Sequence, residues 1–275
     1  MIALTCPVCG AGLLREASGL RCDNNHSFDR ARRGYVNLLP VQFRRSKQPG
    51  DDSGMVEARA QFLAQGFYAP IQQQLIQLIR ENLQPHRNHC LDIGCGEGYY
   101  ARAVAAALPS ASIAALDISK AAIHAACHDS AHPRNSAIDW FVASNAHLPM
   151  PDKSIDVCWS LFTPLQCDEL ARVIKQDGVL IVVGAGENHL IELRQQIYDD
   201  VRIKPFALPA ALDGWQRRDH ALRFSFDVDN NALQQLLQMT PHFWRVAPAR
   251  KEPLLALKQL ALTADIVFTV LTPTP

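Results

Sequence analysis

The sequence predicts an α/β protein, a doubly wound and mainly parallel sheet preceded by a module too small to bury a core of its own. Three observations carry this. From residue 89 onward, short apolar runs alternate with helical stretches, the pattern that lays parallel strands side by side with crossover helices between them. The first of those runs ends in a glycine-rich turn, "LDIGCGEG", at the place where such sheets bind their ligands. Ahead of both stands "CPVCGAGLLREASGLRCDNNH", which carries two tight pairs of metal-grade ligands.

In chain order, residues 1–36 form the small module. Cys6 and Cys9 make a C-x2-C knuckle, and Cys22 and His26 a C-x3-H knuckle. Two such pairs complete a closed tetrahedral zinc site of the structural kind; unligated residues or disulfides are the other reading. So few apolar residues surround them that the metal must supply much of the folding free energy, on the order of 10 kcal/mol. Residues 1–47 hold eight Lys and Arg against three Asp and Glu, a net +5 hidden within a chain of zero net charge. That end suits a polyanion. Residues 37–54, "NLLPVQFRRSKQPGDDSG", read as a basic linker. The domain proper, 55–275, opens with two helices, "MVEARAQFLAQG" and "YAPIQQQLIQLIRENL", the second with Ile71, Leu75, Ile76, Leu78 and Ile79 along one side.

The sheet follows. "HCLDIG", "ASIAALDIS", "IDWFVAS", "SIDVCWSLF" and "VLIVVGAG" are its strands, with "ARAVAAAL", "KAAIHAAC" and "DELARVI" as helices and "DIVFTVL" as a last strand. Gly94, Gly96 and Gly98 let the backbone approach a bulky ligand. Asp117 ends the second strand, placed to grip ribose hydroxyls. A nicotinamide dinucleotide is the rival ligand. Against it, G-C-G-E-G departs from G-x-G-x-x-G, and Glu97 would repel a pyrophosphate yet suit a cationic sulfonium.

Composition bounds the setting. At 275 residues, 48% hydrophobic and 20% charged, the chain is an ordinary globular protein of one large domain or two modest ones. It has no apolar run long enough to span a membrane and no secretory pattern at its N-terminus. Five further cysteines, Cys90, Cys95, Cys127, Cys158 and Cys167, are scattered singly, which fits a reducing cytoplasmic location.

"DIGCGEG", "ALDIS" and "LPMPDKSID" resemble the class I, Rossmann-like methyltransferases that use S-adenosylmethionine. With the C-x2-C…C-x3-H ribbon, "GYVNLLP", "PGDD", "EARAQFL", "DIGCGEGYY", "DELARV" and "LQMTPHFWR", the chain is similar to the bacterial 23S ribosomal RNA guanine-N1 methyltransferases over nearly its whole length. The resemblance implies that Asp92, Gly94 and Gly96 wrap the methionine part of the cofactor, with Glu97 beside them, and that Asp117 takes the ribose. Where such enzymes carry G-D-A-E, this chain has Ala143-Ser144-Asn145-Ala146, so Ser144 stands as a neutral acceptor for the adenine amino group and Asn145 offers its backbone N–H. Tyr68 and His189, which read by themselves as a packing aromatic and a capping residue, occupy the places of two further cofactor contacts. The resemblance further implies a 23S RNA hairpin as substrate and a homodimer with a shared RNA cleft.

Several residues remain with ordinary readings. Phe162, in the loop after the fourth strand, is either a core aromatic or a platform for an extruded base. Asp156 reads as a strand-start residue, and no group stands out as the catalytic base. His124, His128, His132 and His147 have no partner ligand at metal spacing. Arg44, Arg45 and Lys47 suggest phosphate contacts, and Arg217, Arg218 and Arg223 a second RNA edge or a solvated face. A small-molecule methyltransferase with a stabilising ribbon, and a non-catalytic RNA-binding adaptor, stay open as alternatives.

Overall fold

The computed structural model of the protein describes residues 1–44, 46, 49–84, 86–127, 138–240, 246 and 248–274. Its N-terminal strands β1 (Leu13–Glu16), β2 (Gly19–Cys22) and β3 (Ser27–Asp29) form a small antiparallel sheet. Next come β4 (Val36–Asn37), α1 (Ser53–Ala64) and α2 (Ala69–Asn82). The core then runs β5 (His89–Ile93), α3 (Tyr99–Ala107), β6 (Ser112–Asp117), α4 (Lys120–Ala126), β7 (Ile138–Val142), β8 (Ile155–Leu161), α5 (Cys167–Val173), β9 (Ile174–Ala185) and α6 (Ile191–Ile197). It closes with β10 (Gln216–Asp229), α7 (Asn230–Gln238), α8 (Pro248–Leu255) and β11 (Gln259–Thr272).

The large sheet has the order β10-β11-β9-β8-β5-β6-β7-β4, parallel from β4 to β9 and antiparallel at β11 and β10. From β5 the chain builds outward through β6 and β7, then returns to add β8 on the other side of β5. The carboxyl ends of β5 and β8 therefore flank the switch point, where the crossover helices diverge and leave a crevice. Strands covered on both faces should be apolar throughout, and all seven residues of β8 are buried. On α2 the helical period buries Ile71, Leu75, Leu78 and Ile79.

Two stretches differ from their sequence reading. The segment 37–54, whose Pro, Gly and Arg content reads as a linker, begins inside β4 and ends inside α1. Val36 pairs with Phe141, Leu38 N–H donates to the Val142 carbonyl at 2.8 Å, and Leu38 and Leu39 are buried. "WQRRDHALRFSF" lies mostly on the edge strand β10. Its period-two alternation turns Leu222, Phe224 and Phe226 inward, while Arg217, Arg218 and Arg223 are exposed.

The N-terminal module shares apolar packing with the large sheet. Ile2, Leu4, Leu13 and Leu20 are buried in one cluster with Phe141, Leu148 and Met150. Arg15 clamps the Asp139 carboxylate on β7 with both terminal nitrogens, at 2.9 and 2.6 Å. No helix among the described residues is long and apolar enough to cross a membrane.

Candidate functional site

The two knuckles bring Cys6, Cys9, Cys22 and His26 together, with all four ligand atoms within 4.8 Å of one another. Cys9 Sγ and Cys22 Sγ are 3.8 Å apart, and His26 Nδ1 lies 3.6 Å from Cys6 Sγ and 3.4 Å from Cys22 Sγ. A zinc tetrahedron with bonds of about 2.3 Å to sulfur and about 2.0 Å to nitrogen has edges of roughly 3.8 and 3.5 Å. The separations fit zinc. Hydrogen bonding by the Asn24 side chain and the Ala11 backbone lowers the Cys9 thiol to about 6, favouring the thiolate a metal requires.

A cavity of about 660 Å³ opens at the carboxyl ends of β5 and β8, a volume typical of small-molecule sites. Tyr68, Asp92, Gly94, Gly96, Glu97, Asp117, Asn145 and His189 all line it. Ser144 does not. Its Oγ accepts from Ala146 N–H at 3.2 Å, within the turn after β7. Asn145 faces the cavity and its Nδ2 donates to the Pro164 carbonyl at 2.8 Å, tying that turn to the loop after β8.

The glycine turn is shaped by two different constraints. Gly94 adopts φ +71°, and a Cβ there would stand 2.3 Å from Thr163 Oγ1, so close packing against the β8 loop demands glycine. Gly96, at φ +56°, is set by backbone conformation, since a Cβ would meet nothing nearer than Arg59 Nη1 at 3.4 Å. Gly96 N–H donates to Asp117 Oδ2 at 3.0 Å, and Ser119 N–H donates to Asp117 Oδ1 at 2.8 Å. These bonds hold the carboxylate at the end of β6.

The cavity wall is acidic. Asp92 is 1% exposed, and its Oδ2 has no hydrogen-bond partner among the described residues. Burial, reinforced by Asp117 and Glu97, pushes its carboxyl up to about 8. Burial also raises Glu97 and Asp117. Such a wall fits a ligand that brings positive charge.

Tyr68, buried at the start of α2, has its hydroxyl 3.5 Å from His189 Nε2. His189 Nδ1 accepts from Asp265 N–H at 3.4 Å, which orients the ring. Phe162 stands over it with centroids 6.0 Å apart and an interplanar angle of 17°. Other wall residues carried no role in the sequence reading: Gly50, Asp51, Arg59, Tyr100 and Thr163. For the first four the only sequence signal was membership in the quoted "PGDD", "EARAQFL" and "DIGCGEGYY" stretches, and Thr163 had none.

Asp156 sits at the opposite end of β8. It is 3% exposed and accepts from Lys175 Nζ at 2.7 Å and His89 N–H at 3.0 Å. Burial alone would raise its carboxyl, but these donors and Arg87 outweigh it and the net shift is downward. At about 3.3 Å per residue, the five positions to Leu161 put it roughly 16 Å from the cavity end of the strand. It is a structural ion-pair residue. His124 and His147 are exposed, and His147 packs on Phe43 with centroids 4.4 Å apart. His128, His132, Arg45 and Lys47 lie outside the described residues.

An open α/β sheet with an acidic cleft at its switch point, bordered by a glycine turn and by Asp117 at the end of β6, defines a class I methyltransferase dependent on S-adenosylmethionine, here joined to a zinc ribbon. A methyltransferase-domain model matches residues 91–182, and the zinc-ribbon model described as "RlmA, N-terminal" matches residues 4–47. The chain belongs to the 23S ribosomal RNA guanine-N1 methyltransferases: it is 33% identical over 284 residues to the 23S rRNA (guanine(748)-N(1))-methyltransferase of Streptomyces fradiae, covering 99% of this chain and 97% of the relative. Among solved structures, the YcgJ protein of Bacillus subtilis superposes with a TM-score of 0.50 at 17% identity, covering 72% of this chain and 97% of that one, a likeness of fold.

Proposed function

We propose that this protein transfers a methyl group from S-adenosylmethionine to N1 of a guanine in a hairpin of 23S ribosomal RNA, with the zinc ribbon as an RNA-reading module. The observation that supports it best is the union, in one chain similar end to end to such an enzyme, of a Cys3His cluster spaced for zinc and an acidic cleft at the switch point. The cofactor supplies an electrophilic methyl group on a sulfonium. In this reading Asp117 holds the ribose, Asp92 and Glu97 face the positive end, Asn145 borders the adenine, and Tyr68 and His189 close the far wall. Ser144 drops out because it does not line the cavity.

Displacement at a methyl carbon needs no covalent intermediate with the protein, so alignment and exclusion of water supply most of the acceleration. Guanine N1 carries a proton at neutral pH and must lose it as the bond forms. The target base must leave its stack to reach a cavity of this depth, and Phe162 at the rim offers a face to hold it. Arg30, Arg32, Arg33 and Arg44 are exposed on the ribbon and the segment following it, where backbone phosphates would pass. A homodimer would double that surface and enclose the hairpin.

The direct test is methylation of 23S RNA fragments by the purified protein, read as reverse-transcriptase stops, since N1 methylation blocks pairing. Stops should appear at one guanine and require S-adenosylmethionine. Stops absent from every RNA fragment, together with turnover of a small-molecule acceptor, would reject the RNA reading.

A further inference from the structure

Among the described residues, six large apolar side chains stand exposed: Met1, Val8, Leu14, Val41, Phe162 and Ile203. The first three belong to the ribbon module and Val41 to the segment after it. Phe162 borders the cavity. Ile203, 55% exposed, lies in the stretch 198–209 that follows α6, a run without helix or strand. A loop of that length inside a compact domain usually serves a function.

The ends of this loop fix where it runs. Tyr198 packs with Leu190, Leu193 and Ile197 in the cluster on one face of the large sheet, whereas Phe206 and Leu208 pack on the other. A Cβ on Gly184 would stand 2.0 Å from the Phe206 ring, so that ring is seated directly on β9. Between these anchors the chain must pass around the sheet, and one guanidinium shows where. Arg194 donates from Nη1 to the Glu187 carbonyl at 2.8 Å and from Nη2 to the Arg202 carbonyl at 2.6 Å. Glu187 lies just past the carboxyl end of β9, and Ala185 and His189, two residues to either side of it, line the cavity. Ile203 therefore stands beside the cavity mouth, next to a carbonyl that is held in place. Its neighbours Arg202 and Lys204 are both exposed, and Pro205 keeps Lys204 in extended backbone. Of the loop's two acids, Asp199 is paired with Arg250, and Asp200 lies nearer α6.

An exposed isoleucine alone carries no message. Between two cations, on an anchored loop, at the mouth of a cavity that must receive an extruded base, it meets a specific need. A base that leaves its stack opens a gap, and apolar side chains inserted between bases hold such gaps open. A β-branched side chain is stiff enough to keep its place there. We infer that Ile203 is the wedge that enters the RNA stack where the target guanine leaves it, with Arg202 and Lys204 gripping the flanking phosphates. This rests on the function proposed above and adds to it how the base is brought out. Phe162 receives the base, and Ile203 occupies the space it vacates.

Single-turnover methylation of the 23S RNA fragment by the zinc-loaded, full-length protein tests this. Ile203→Ala should slow methylation by about five- to fiftyfold, the range for an unstacking cost left partly uncompensated. It should leave S-adenosylmethionine affinity and the salt dependence of RNA binding unchanged, because the side chain carries no charge. Ile203→Leu, which keeps the bulk, should recover most of the rate. Arg202→Gln combined with Lys204→Gln should instead flatten the log–log salt slope by about 1.5 units, and an unchanged slope would overturn the grip of those cations. The same fragment with abasic sites on both sides of the target guanine has no stack to wedge. There, wild type and Ile203→Ala should differ by less than about threefold. Equal rates on the intact fragment, or the same loss on both fragments, would overturn the inference. Should wild type not methylate the abasic fragment, 2-aminopurine placed beside the target guanine decides, since losing a stacked neighbour raises its fluorescence. It should brighten when wild type binds with S-adenosylhomocysteine and stay dim with Ile203→Ala; equal brightening would overturn the wedge. Wild type that methylates no 23S fragment counts against the proposed function itself, whereas methylation indifferent to Ile203 counts against the wedge alone.

Discussion

Replacing Phe162 by glycine and by alanine separates two roles for that ring. Phe162 has φ +54°, a left-handed conformation that costs a non-glycine residue about 1 kcal/mol or more, and it is 46% exposed. Its N–H is pinned to the Val183 carbonyl at 2.9 Å, so the backbone cannot relax by leaving its place. A fully buried phenylalanine contributes at most about 3 kcal/mol, so a ring left half in solvent contributes about 1 kcal/mol. Alanine forfeits that contact and keeps the strain, which predicts a loss of about 1 kcal/mol. Glycine forfeits the same contact but removes the strain, so it should exceed alanine by about 1 kcal/mol and fall close to wild type. In a domain of this size that separation is about 2–4 °C in Tm, readable by calorimetry. If the ring stacks on the target base, both variants should lose about 1–3 kcal/mol in kcat/KM on RNA, roughly five- to 150-fold. Equal turnover by wild type and both variants would show the ring to be packing alone, and a glycine variant less stable than the alanine one would refute the strain argument.

Four other outcomes are expected. Cys22→Ser should bring zinc below half an equivalent by elemental analysis and lower Tm, with cofactor affinity changed far less; zinc kept near one equivalent would remove Cys22 from the ligand set. Asp117→Ala should weaken S-adenosylmethionine by about 1.5–3 kcal/mol in calorimetry, and unchanged affinity would free Asp117 of the ribose role. Because the Asp92 carboxyl titrates near 8 and a cationic ligand favours its ionised form, affinity should rise with pH by up to about tenfold per unit below 8 and level off above it; binding at pH 7 that releases no proton, by titration in buffers of different ionisation enthalpy, would contradict this. Replacing Arg32, Arg33 and Arg44 together by alanine should flatten the log–log salt dependence of RNA binding by about two units, and parallel lines would show that these arginines do not touch the RNA.

Much of the sheet was legible because strands buried on both faces leave continuous apolar runs. "IDVCWSL" is buried at every position, and its boundaries agree with the sequence reading to within a residue. The metal site was legible for a similar reason, since spacings of two and three residues within the ligand pairs act locally. What escaped was set by distant partners. Val36 and Asn37 are two residues long as a strand, and only pairing with β7 makes them one. Strand β10 alternates correctly, but its arginines drew attention to charge over period. Gly94 looked like a cofactor glycine, yet its immediate constraint is Thr163, far away in sequence and 2.3 Å from its absent Cβ. Arg59 was hidden in a helix that the sequence marked as helical and nothing more. No spacing rule relates it to Gly96 or Asp51, because the three meet only when α1 folds across the cleft.

That same crossing connects the two ends of the proposed enzyme. The stretch from β4 to α1 carries exposed Arg44 near its beginning and the cavity wall, Gly50 and Asp51, near its end. Gly50 is packed so closely against α4 that a Cβ there would lie 2.8 Å from the Ser119 side chain. Ser119 Oγ donates to the Asp51 carbonyl at 2.6 Å, while Ser119 N–H donates to Asp117. A group bound by Asp117 and a polyanion bound along residues 30–44 would therefore bear on one segment of the chain, held at its cavity end through Gly50 and Asp51. If either ligand changes the free energy of that run, it changes the affinity for the other by the same factor, since coupling between two equilibria is reciprocal. The physical basis for such coupling is local: β4, the strand that follows the ribbon's own sheet, is hydrogen-bonded into the same large sheet whose ends form the cleft. The ribbon is thus built into the methyltransferase wall as well as placed ahead of it in sequence.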